Sequence, residues 1–175
     1  LGESWQHGVV LLAWDSARGG AANPFDGENV VLHEFAHQLD QEEGESDGTP
    51  RLGRGMSPAT AAGVYTSWAR MLAKEYEAFR VAVGQGGKTV MDSYGTSNPA
   101  EFFAVATECF FEKPVQLCKK HSELYAALKQ FYRQDPAAWV TDAARAAKQT
   151  PEPTAAAADS HDNSEAGGGS SGGPA

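Results

Sequence analysis

The chain has 175 residues, of which 41% are hydrophobic, and its formal net charge is −9. This length and apolar content suit one packed domain, and no run of about 18 apolar residues predicts a membrane span. An acidic chain without a cluster of lysine or arginine is not expected to bind nucleic acid, which requires neutralisation of phosphates.

The two ends of the chain differ in character from its body. The first residue is Leu1 rather than Met, so we expect a fragment of a longer protein that is incomplete at its N-terminus. Residues 150–175 contribute −4 to the net charge, which leaves −5 for residues 1–149. Pro, Ala, Ser and Gly dominate from residue 148, and such a composition buries too little apolar area to offset its ordering entropy. We therefore predict a domain over 1–147 and a disordered tail over 148–175.

The two cysteines, Cys109 and Cys118, are not spaced as CxxC. Neither a zinc ribbon nor a redox motif is therefore indicated, and two cysteines are too few for a disulfide scaffold. We expect a reducing, cytoplasmic setting.

The first predicted element is a strand over 9–14, a continuous apolar run that indicates burial on both faces. Residues 15–27 are rich in Gly, Ala, Asn and Pro, which favours a loop. A helix is predicted over 28–42, with Asp26 as its N-cap. Its predicted apolar stripe consists of Val31, Leu32, Phe35 and Leu39.

The next helix is the clearest amphipathic segment of the chain. It follows a polar surface loop predicted over 43–56. Ser57 offers a capping hydroxyl before proline at the first helical position, and Gly84 begins a glycine-rich stop. Apolar residues keep helical spacing throughout: Val64, Trp68, Leu72, Phe79 and Val83.

The C-terminal third is predicted to contain two more helices. Residues 88–97 indicate a loop or a short strand, and a helix is predicted over 98–112. A short segment at 115–120 leads to a last helix over 122–133, which Asp135-Pro136 ends.

The strongest chemical signal is the sequence HExxH formed by His33, Glu34 and His37. Spacing of four residues puts both imidazoles on one face of a helix, where they can reach one tetrahedral zinc ion. Glu34 can then take a proton from a water held by the ion. The alternative is a surface helix with two solvated histidines. The apolar neighbours oppose it, because a buried polar trio needs partners.

A catalytic zinc site needs a third protein ligand, and the residues leave two candidates open. Glu101 and Glu108 are seven apart, so they share one face of the helix over 98–112. Asn98 and Glu101 also have capping-box spacing, so Glu101 could serve the helix end instead. Glu108 could be an ordinary solvated residue. Chemistry alone favours Glu101, because the first helical turn fixes its backbone.

Two further side chains each allow two interpretations. Tyr94 precedes the helix over 98–112 and could donate a hydrogen bond to a developing oxyanion, or simply pack. Asp40 could orient a ligand imidazole, or cap or solvate the helix end. The remaining histidines show no ligand spacing: His7, His121 and His161.

The motifs resemble those of a known family. Residues 29–40, NVVLHEFAHQLD, resemble the core of the Mlc titration factor A family of bacterial zinc peptidases. Ser93-Tyr94-Gly95 with NPAEFFA at 98–104 is similar to that family's second motif, and the same block also resembles the catalytic domain of anthrax lethal factor. The segments from Trp5 to Trp14 and from Glu123 to Pro136 extend the resemblance over about residues 1–140.

The resemblance implies an α+β, zincin-like fold of the gluzincin type, mostly helical with a small sheet. It implies that His33, His37 and Glu101 bind one zinc ion, that Glu34 is the general base, and that Tyr94 stabilises the transition state. It also implies an aminopeptidase-like activity on peptides and a link to sugar-transport regulation through an Mlc-like transcriptional repressor. One departure is Val105, which stands where thermolysin-like enzymes have an Asp four residues after the third ligand, so ligand support must come from elsewhere.

The expected reaction is hydrolysis of a peptide bond by zinc-activated water. Two other functions remain open at this point. The domain could bind a transcriptional regulator with a zinc ion that serves structure, or it could hydrolyse non-peptide amides.

Overall fold

The computed structural model of the chain describes residues 2–5, 8–43 and 46–149. The predicted tail therefore lies outside the described residues, apart from 148 and 149, which end a helix. Within the described ranges the fold is mostly helical with one two-stranded sheet. The elements are β1 (Gly2–Trp5), β2 (Val9–Leu12), α1 (Trp14–Ala22), α2 (Val30–Asp40), α3 (Pro58–Gly84), α4 (Pro99–Glu112), α5 (Pro114–Lys120), α6 (Ser122–Tyr132) and α7 (Pro136–Gln149).

Helix α4 forms the centre of the hydrophobic core. Its run Phe102–Ala106 is buried on every side, because α2, α3 and α6 all pack against it. Phe79 of α3 lies 5.5 Å from Phe102 between ring centroids, and Trp68 lies 6.0 Å from Phe103. The predicted α3 is confirmed, and its aromatic side chains fix the core on one side of α4.

Helix α2 begins later than predicted. Asn29, not Asp26, is the N-cap, and its side-chain oxygen accepts from the backbone N–H groups of Val31 and Leu32. Asp26 instead accepts from the N–H of Glu28 in the preceding turn. The prediction that Phe35 faces the core is wrong: its side chain is 54% exposed. The face of α2 toward α4 carries the small Ala36 together with the polar residues of the site.

The strand predicted over 9–14 is shorter and more exposed than expected. β2 pairs antiparallel with β1, with Glu3 opposite Leu11, and Val9 and Leu11 are each 49% exposed. The prediction of burial on both faces is therefore wrong. β1 is the strand that packs against α2, and the Gln38 amide of α2 donates to the Trp5 carbonyl at 3.0 Å and to the Ser4 hydroxyl.

Four segments predicted as irregular or left unassigned form helices. α1 occupies most of the predicted loop 15–27, and Gly20 allows it to approach Asn29, since a Cβ there would lie 3.3 Å from the Asn29 Cα. Pro114 and Pro136 start α5 and α7 at the first helical turn, where proline is tolerated. Ser93–Thr96 forms a 3₁₀ helix in place of the predicted loop or short strand.

The loop predicted over 43–56 holds as irregular structure over its described residues from 46 onward, although Gly48, Pro50 and Leu52 are buried. Of the helices that the structure describes, none combines the length and apolar composition needed to cross a bilayer.

Candidate metal centre

Helix α2 presents both histidines of the HExxH sequence on one face. The rings of His33 and His37 lie 4.9 Å apart between centroids, one helical turn from each other. Their Nε2 atoms are 3.2 Å apart and face the same point. This arrangement is what the i, i+4 spacing predicts.

Helix α4 brings Glu101 to the same point. One of its carboxylate oxygens, Oε2, lies 2.9 Å from His33 Nε2 and 3.4 Å from His37 Nε2. Asn98 caps α4 by accepting from the Glu101 N–H at 2.9 Å, so the cap that the spacing predicts is formed. The Glu101 carboxylate points to the imidazoles, and the cap therefore holds its backbone while the side chain stays available.

The distances between the three donor groups suit a tetrahedrally coordinated ion. One ligand atom of each of His33, His37 and Glu101 lies within 4.8 Å of the others, and their side chains are only 12–16% exposed. Donors at 2.0–2.1 Å from a tetrahedral zinc ion are separated by about 3.3 Å. The observed separations of 2.9–3.4 Å are close to that value, and two imidazoles with one carboxylate form a common catalytic zinc set.

Glu108 contacts the other side of the His33 ring. Its Oε1 lies 2.7 Å from His33 Nδ1, and its Oε2 accepts from the backbone N–H of Asn29. The side chain is buried, so the alternative of a solvated helix residue is wrong. A carboxylate at Nδ1 orients the imidazole ring, and it would hold a proton on that nitrogen when Nε2 binds an ion. Glu108 thus supplies the support that Val105 cannot.

Sequence reasoning missed Glu112, which extends this contact by one helical turn. Its carboxylate accepts from the Asn29 side-chain amide at 2.8 Å and from the Gly27 N–H at 3.0 Å. Glu108 and Glu112 together fasten the start of α2 to α4. Two carboxylates four residues apart in the mostly apolar second half of α4 are the signal that could have indicated this role.

Glu34 lies in the same cleft and is buried. Burial raises the pKa of its carboxyl, although the nearby histidines oppose the shift. β1 passes directly over it: a Cβ at Gly2 would lie 2.5 Å from the Cγ and Oε1 atoms of Glu34. Only glycine therefore allows the strand to run this close to the carboxylate.

Tyr94 lines the cleft from the 3₁₀ helix, whose N-cap Asp92 accepts from the Tyr94 N–H at 2.7 Å. Its ring is 6.0 Å from the His33 ring and is 56% exposed, so it does not serve as a packing aromatic of the core. The negative charge of Glu101, aided by burial and by a hydrogen bond to that carboxylate, raises the pKa of Tyr94. The hydroxyl thus remains a donor beside the cluster of His33, His37 and Glu101.

Asp40 fills neither of the two roles considered for it. It is fully buried, and its Oδ2 accepts from the Ser46 hydroxyl and from the Gly48 N–H, each at 2.9 Å. The carboxylate therefore ties the loop after α2 to the helix. Gly48 also accepts from the Trp68 indole at 2.9 Å, which connects this loop to α3.

Hydrogen bonds and opposite charges link the residues of the cluster. Burial lowers the pKa of His33, but hydrogen bonds to Glu101 and Glu108 outweigh it and raise the value to about 9. Burial raises the pKa of Glu101, but its hydrogen bonds to the two histidines lower it to about 2. The His33 imidazole thus lies between two carboxylates that favour its charged form. His121 forms a separate contact with Glu75, and His7 and His161 lie outside the described residues.

The centre opens into a cleft of about 500 Å³. One wall is β1, another is the 3₁₀ helix with the start of α4, and Gln41 and Ser46 close the end near the loop after α2. Glu34, Tyr94 and the three-residue cluster therefore all face one solvent-accessible space.

Known proteins from several bacteria are similar to this chain over about the same share of its length. Mlc titration factor A of Pectobacterium atrosepticum is 34% identical over 142 residues, which cover 78% of this chain and 49% of that protein. Mlc titration factor A of Serratia proteamaculans is 32% identical over 141 residues, covering 78% and 50%. The protein named slr2042 of Synechocystis sp. is 41% identical over 136 residues, covering 77% and 47%. The chain thus spans about half the length of these relatives.

The family profile described as glucose-regulated metallo-peptidase M90 matches residues 1–133. This range contains the HExxH helix, the second motif and all three residues of the cluster. The match covers well over half of the chain, and the chain therefore belongs to the glucose-regulated metallo-peptidase M90 family.

Proposed function

We propose that this chain is a zinc-dependent peptidase domain with a gluzincin-type centre. In this proposal His33, His37 and Glu101 hold one zinc ion. The observation that carries it is the convergence of three donor atoms from two tightly packed helices within 4.8 Å, beside a buried glutamate in an open cleft. Membership of a metallo-peptidase family supports the same reading.

The preference for Glu101 over Glu108 as third ligand rests on which imidazole nitrogen each one contacts. Glu101 lies at Nε2 of both histidines, whereas Glu108 lies at Nδ1 of His33 only. The Glu108 carboxylate lies at Nδ1, the nitrogen that faces away from the proposed ion, and therefore suits a group that orients the ring rather than one that binds the ion.

A zinc ion bound there would supply Lewis acidity toward water and toward a peptide carbonyl. Glu34 is proposed to take the proton of the attacking water and to pass it to the leaving amine. Its raised pKa suits both steps, because a carboxylate that is too acidic returns a proton poorly. Tyr94, kept protonated, is proposed to donate to the carbonyl oxygen as negative charge develops there.

The shape of the cleft supports a peptide substrate. β1 lines it, and within the described residues β1 has a strand partner on one edge only. An extended peptide can add to such an edge through main-chain hydrogen bonds. Glu3 of β1 also lines the cleft, and its carboxylate would attract the ammonium group of a peptide's first residue. We therefore infer aminopeptidase-like cleavage.

The setting and partner of the domain follow from other observations. Both cysteines are free, which favours a reducing compartment, and we infer the cytoplasm. Two of the relatives are named Mlc titration factor A, and on that name we propose an Mlc-like transcriptional repressor as a regulatory partner.

Glu34→Gln is the variant that tests the peptidase mechanism. We expect turnover of aminoacyl and longer peptide substrates to fall at least about 100-fold, while bound zinc stays unchanged, because the variant removes only the base. A domain that only binds a regulator through a structural zinc would turn over no peptide as wild type, and Glu34→Gln would leave its binding to the regulator unchanged. A hydrolase of other amides would cleave none of the peptides even as wild type.

Metal content tests the ligand assignment separately. Wild-type protein should retain one zinc ion per chain after dialysis, and Glu101→Ala should lose it. Equal retention by both proteins would exclude Glu101 as a ligand.

A further inference from the structure

A second cavity, of about 940 Å³, lies between α3, α6 and the loop 51–56. It shares no lining residue with the metal cleft, and neither the family match nor the proposed reaction accounts for it. It has an apolar floor and a basic rim, and we name it the α3–α6 groove.

The floor follows one face of α3. From Thr60 to Met71 the lining positions recur every three or four residues, so they form a single stripe about 16 Å long, or three helical turns. Small residues on both helices, among them Gly63, Ser67 and Ala127, keep the groove wide enough for a backbone to approach. The stripe also exposes the edges of Val64 and of Phe131 on α6.

The rim is basic in a chain whose net charge is −9. Arg51 and Arg54 come from the loop, and Arg133 comes from the end of α6. Arg54 contacts Glu42 at 3.6 Å, but the Arg54 side chain is 74% exposed, so this ion pair is weak. Glu42 also lines the groove, so its charged lining residues are three arginines and one glutamate, and the groove is net positive beside an apolar surface.

Arg133 is the one described residue other than glycine with a positive φ, at 55°. It ends α6 in the left-handed conformation, a position where glycine is usual because a Cβ is disfavoured there. The end of α6 thus places the guanidinium of Arg133 at the groove, although glycine would fit this backbone conformation better.

We propose that the α3–α6 groove binds an acidic amphipathic helix of a partner protein. Its apolar face would lie on the floor between α3 and α6, and its flanking Asp or Glu side chains would meet the three arginines. The length of the apolar stripe matches a helix of three turns, and the charge of the rim selects an acidic one. The groove would act independently of the metal centre.

The test uses the full chain and a fluorescein-labelled synthetic helical peptide with Leu at i, i+3, i+4 and i+7 and Glu on both flanks. A second peptide carries Lys in place of every Glu. We expect the acidic peptide to bind in fluorescence anisotropy and the basic peptide to bind at least about tenfold more weakly. Equal binding of the two peptides would overturn the proposal.

Two groove variants and their controls locate the binding. Gly63→Trp should abolish binding, because a Cβ there meets no atom within 4 Å and the ring would fill the groove without disturbing the fold. Ala62→Trp, at the neighbouring exposed position of α3 outside the groove, should bind as wild type.

Arg133→Gly should weaken binding several-fold while the melting temperature stays equal or rises, because glycine suits the left-handed end of α6. Arg133→Lys should bind nearly as wild type, and so should Arg80→Gln, which removes a charge elsewhere on α3. Unchanged binding by both Gly63→Trp and Arg133→Gly would place the peptide elsewhere. A wild-type dimer in sedimentation that Gly63→Trp dissociates would also overturn the proposal, since a second copy would then fill the groove.

Discussion

Glu108→Gln should weaken zinc binding without touching the ion. Glu108 accepts from His33 Nδ1–H with one oxygen and from the Asn29 N–H with the other. The amide of glutamine has a single oxygen, so one of these two donors must face an NH₂ group. A buried donor left without an acceptor costs about 1–3 kcal/mol, and the charge-assisted contact to the ring is lost as well.

Groups that orient a ligand imidazole typically contribute 10–100-fold to metal affinity, which is about 1.4–2.7 kcal/mol. We expect a loss in that range for Glu108→Gln, measured by competition with a chromophoric zinc chelator, and a lower melting temperature of the chelated protein. Glu123→Gln is the matched control, because Glu123 forms an exposed ion pair with Lys74 far from the site. A zinc affinity within twofold of wild type would refute the orienting role of Glu108.

Three further predictions concern the cleft. Tyr94→Phe should lower kcat by about 10–1000-fold with KM and zinc content little changed, because the hydroxyl acts on the charge that develops in the transition state. A rise in KM as large as the expected fall in kcat would contradict this role. Gly2→Ala should displace the Glu34 carboxylate, which lies 2.5 Å from the added Cβ, and kcat should fall while zinc is retained; unaltered kcat would show that the strand yields instead. In chelated protein, the ion pair of His33 and Glu101 contributes fully to the stability of the fold only between pH 4.5 and pH 6.5. This contribution is lost as the pH rises toward 9, where His33 loses its proton, and as the pH falls toward 2, where Glu101 gains one. The melting-temperature difference between wild type and His33→Gln should therefore be largest between pH 4.5 and 6.5, and a difference that still grows toward pH 9 would refute the pairing.

The parts of the fold that the sequence predicts well are those with strong periodicity and clear ends. Helix α3 has proline at its first position, an apolar stripe and a glycine stop, and these local signals agree with its packing. The convergence of His33 and His37 follows from helix geometry alone. The meeting of these histidines with Glu101 does not, because it depends on how α2 crosses α4. Chemistry alone only favours Glu101 over Glu108, and the family resemblance is what implies Glu101.

The errors have physical causes in tertiary packing. Gly19 and Gly20 made α1 look like a loop, but the missing side chain at Gly20 is what allows close approach to Asn29. Phe35 was assigned to the core by its hydrophobicity, yet the face of α2 toward the core is occupied by the site, so the ring is left in solvent. The sequence leaves a solvated Glu108 open and does not single out Glu112, because a single sequence does not show which face of a helix finds donors.

The fastening of α2 to α4 by Glu108 and Glu112 has a consequence for motion. The two histidines lie on α2 and Glu101 lies on α4. These helices cannot separate without leaving the buried carboxylates of Glu108 and Glu112 without hydrogen-bond partners. Slow amide hydrogen exchange should therefore be shared between the first turns of α2 and the second half of α4, as one opening unit, even in the absence of an ion. An ion entering such a centre meets side chains that are already assembled, so little ordering entropy remains to oppose its capture.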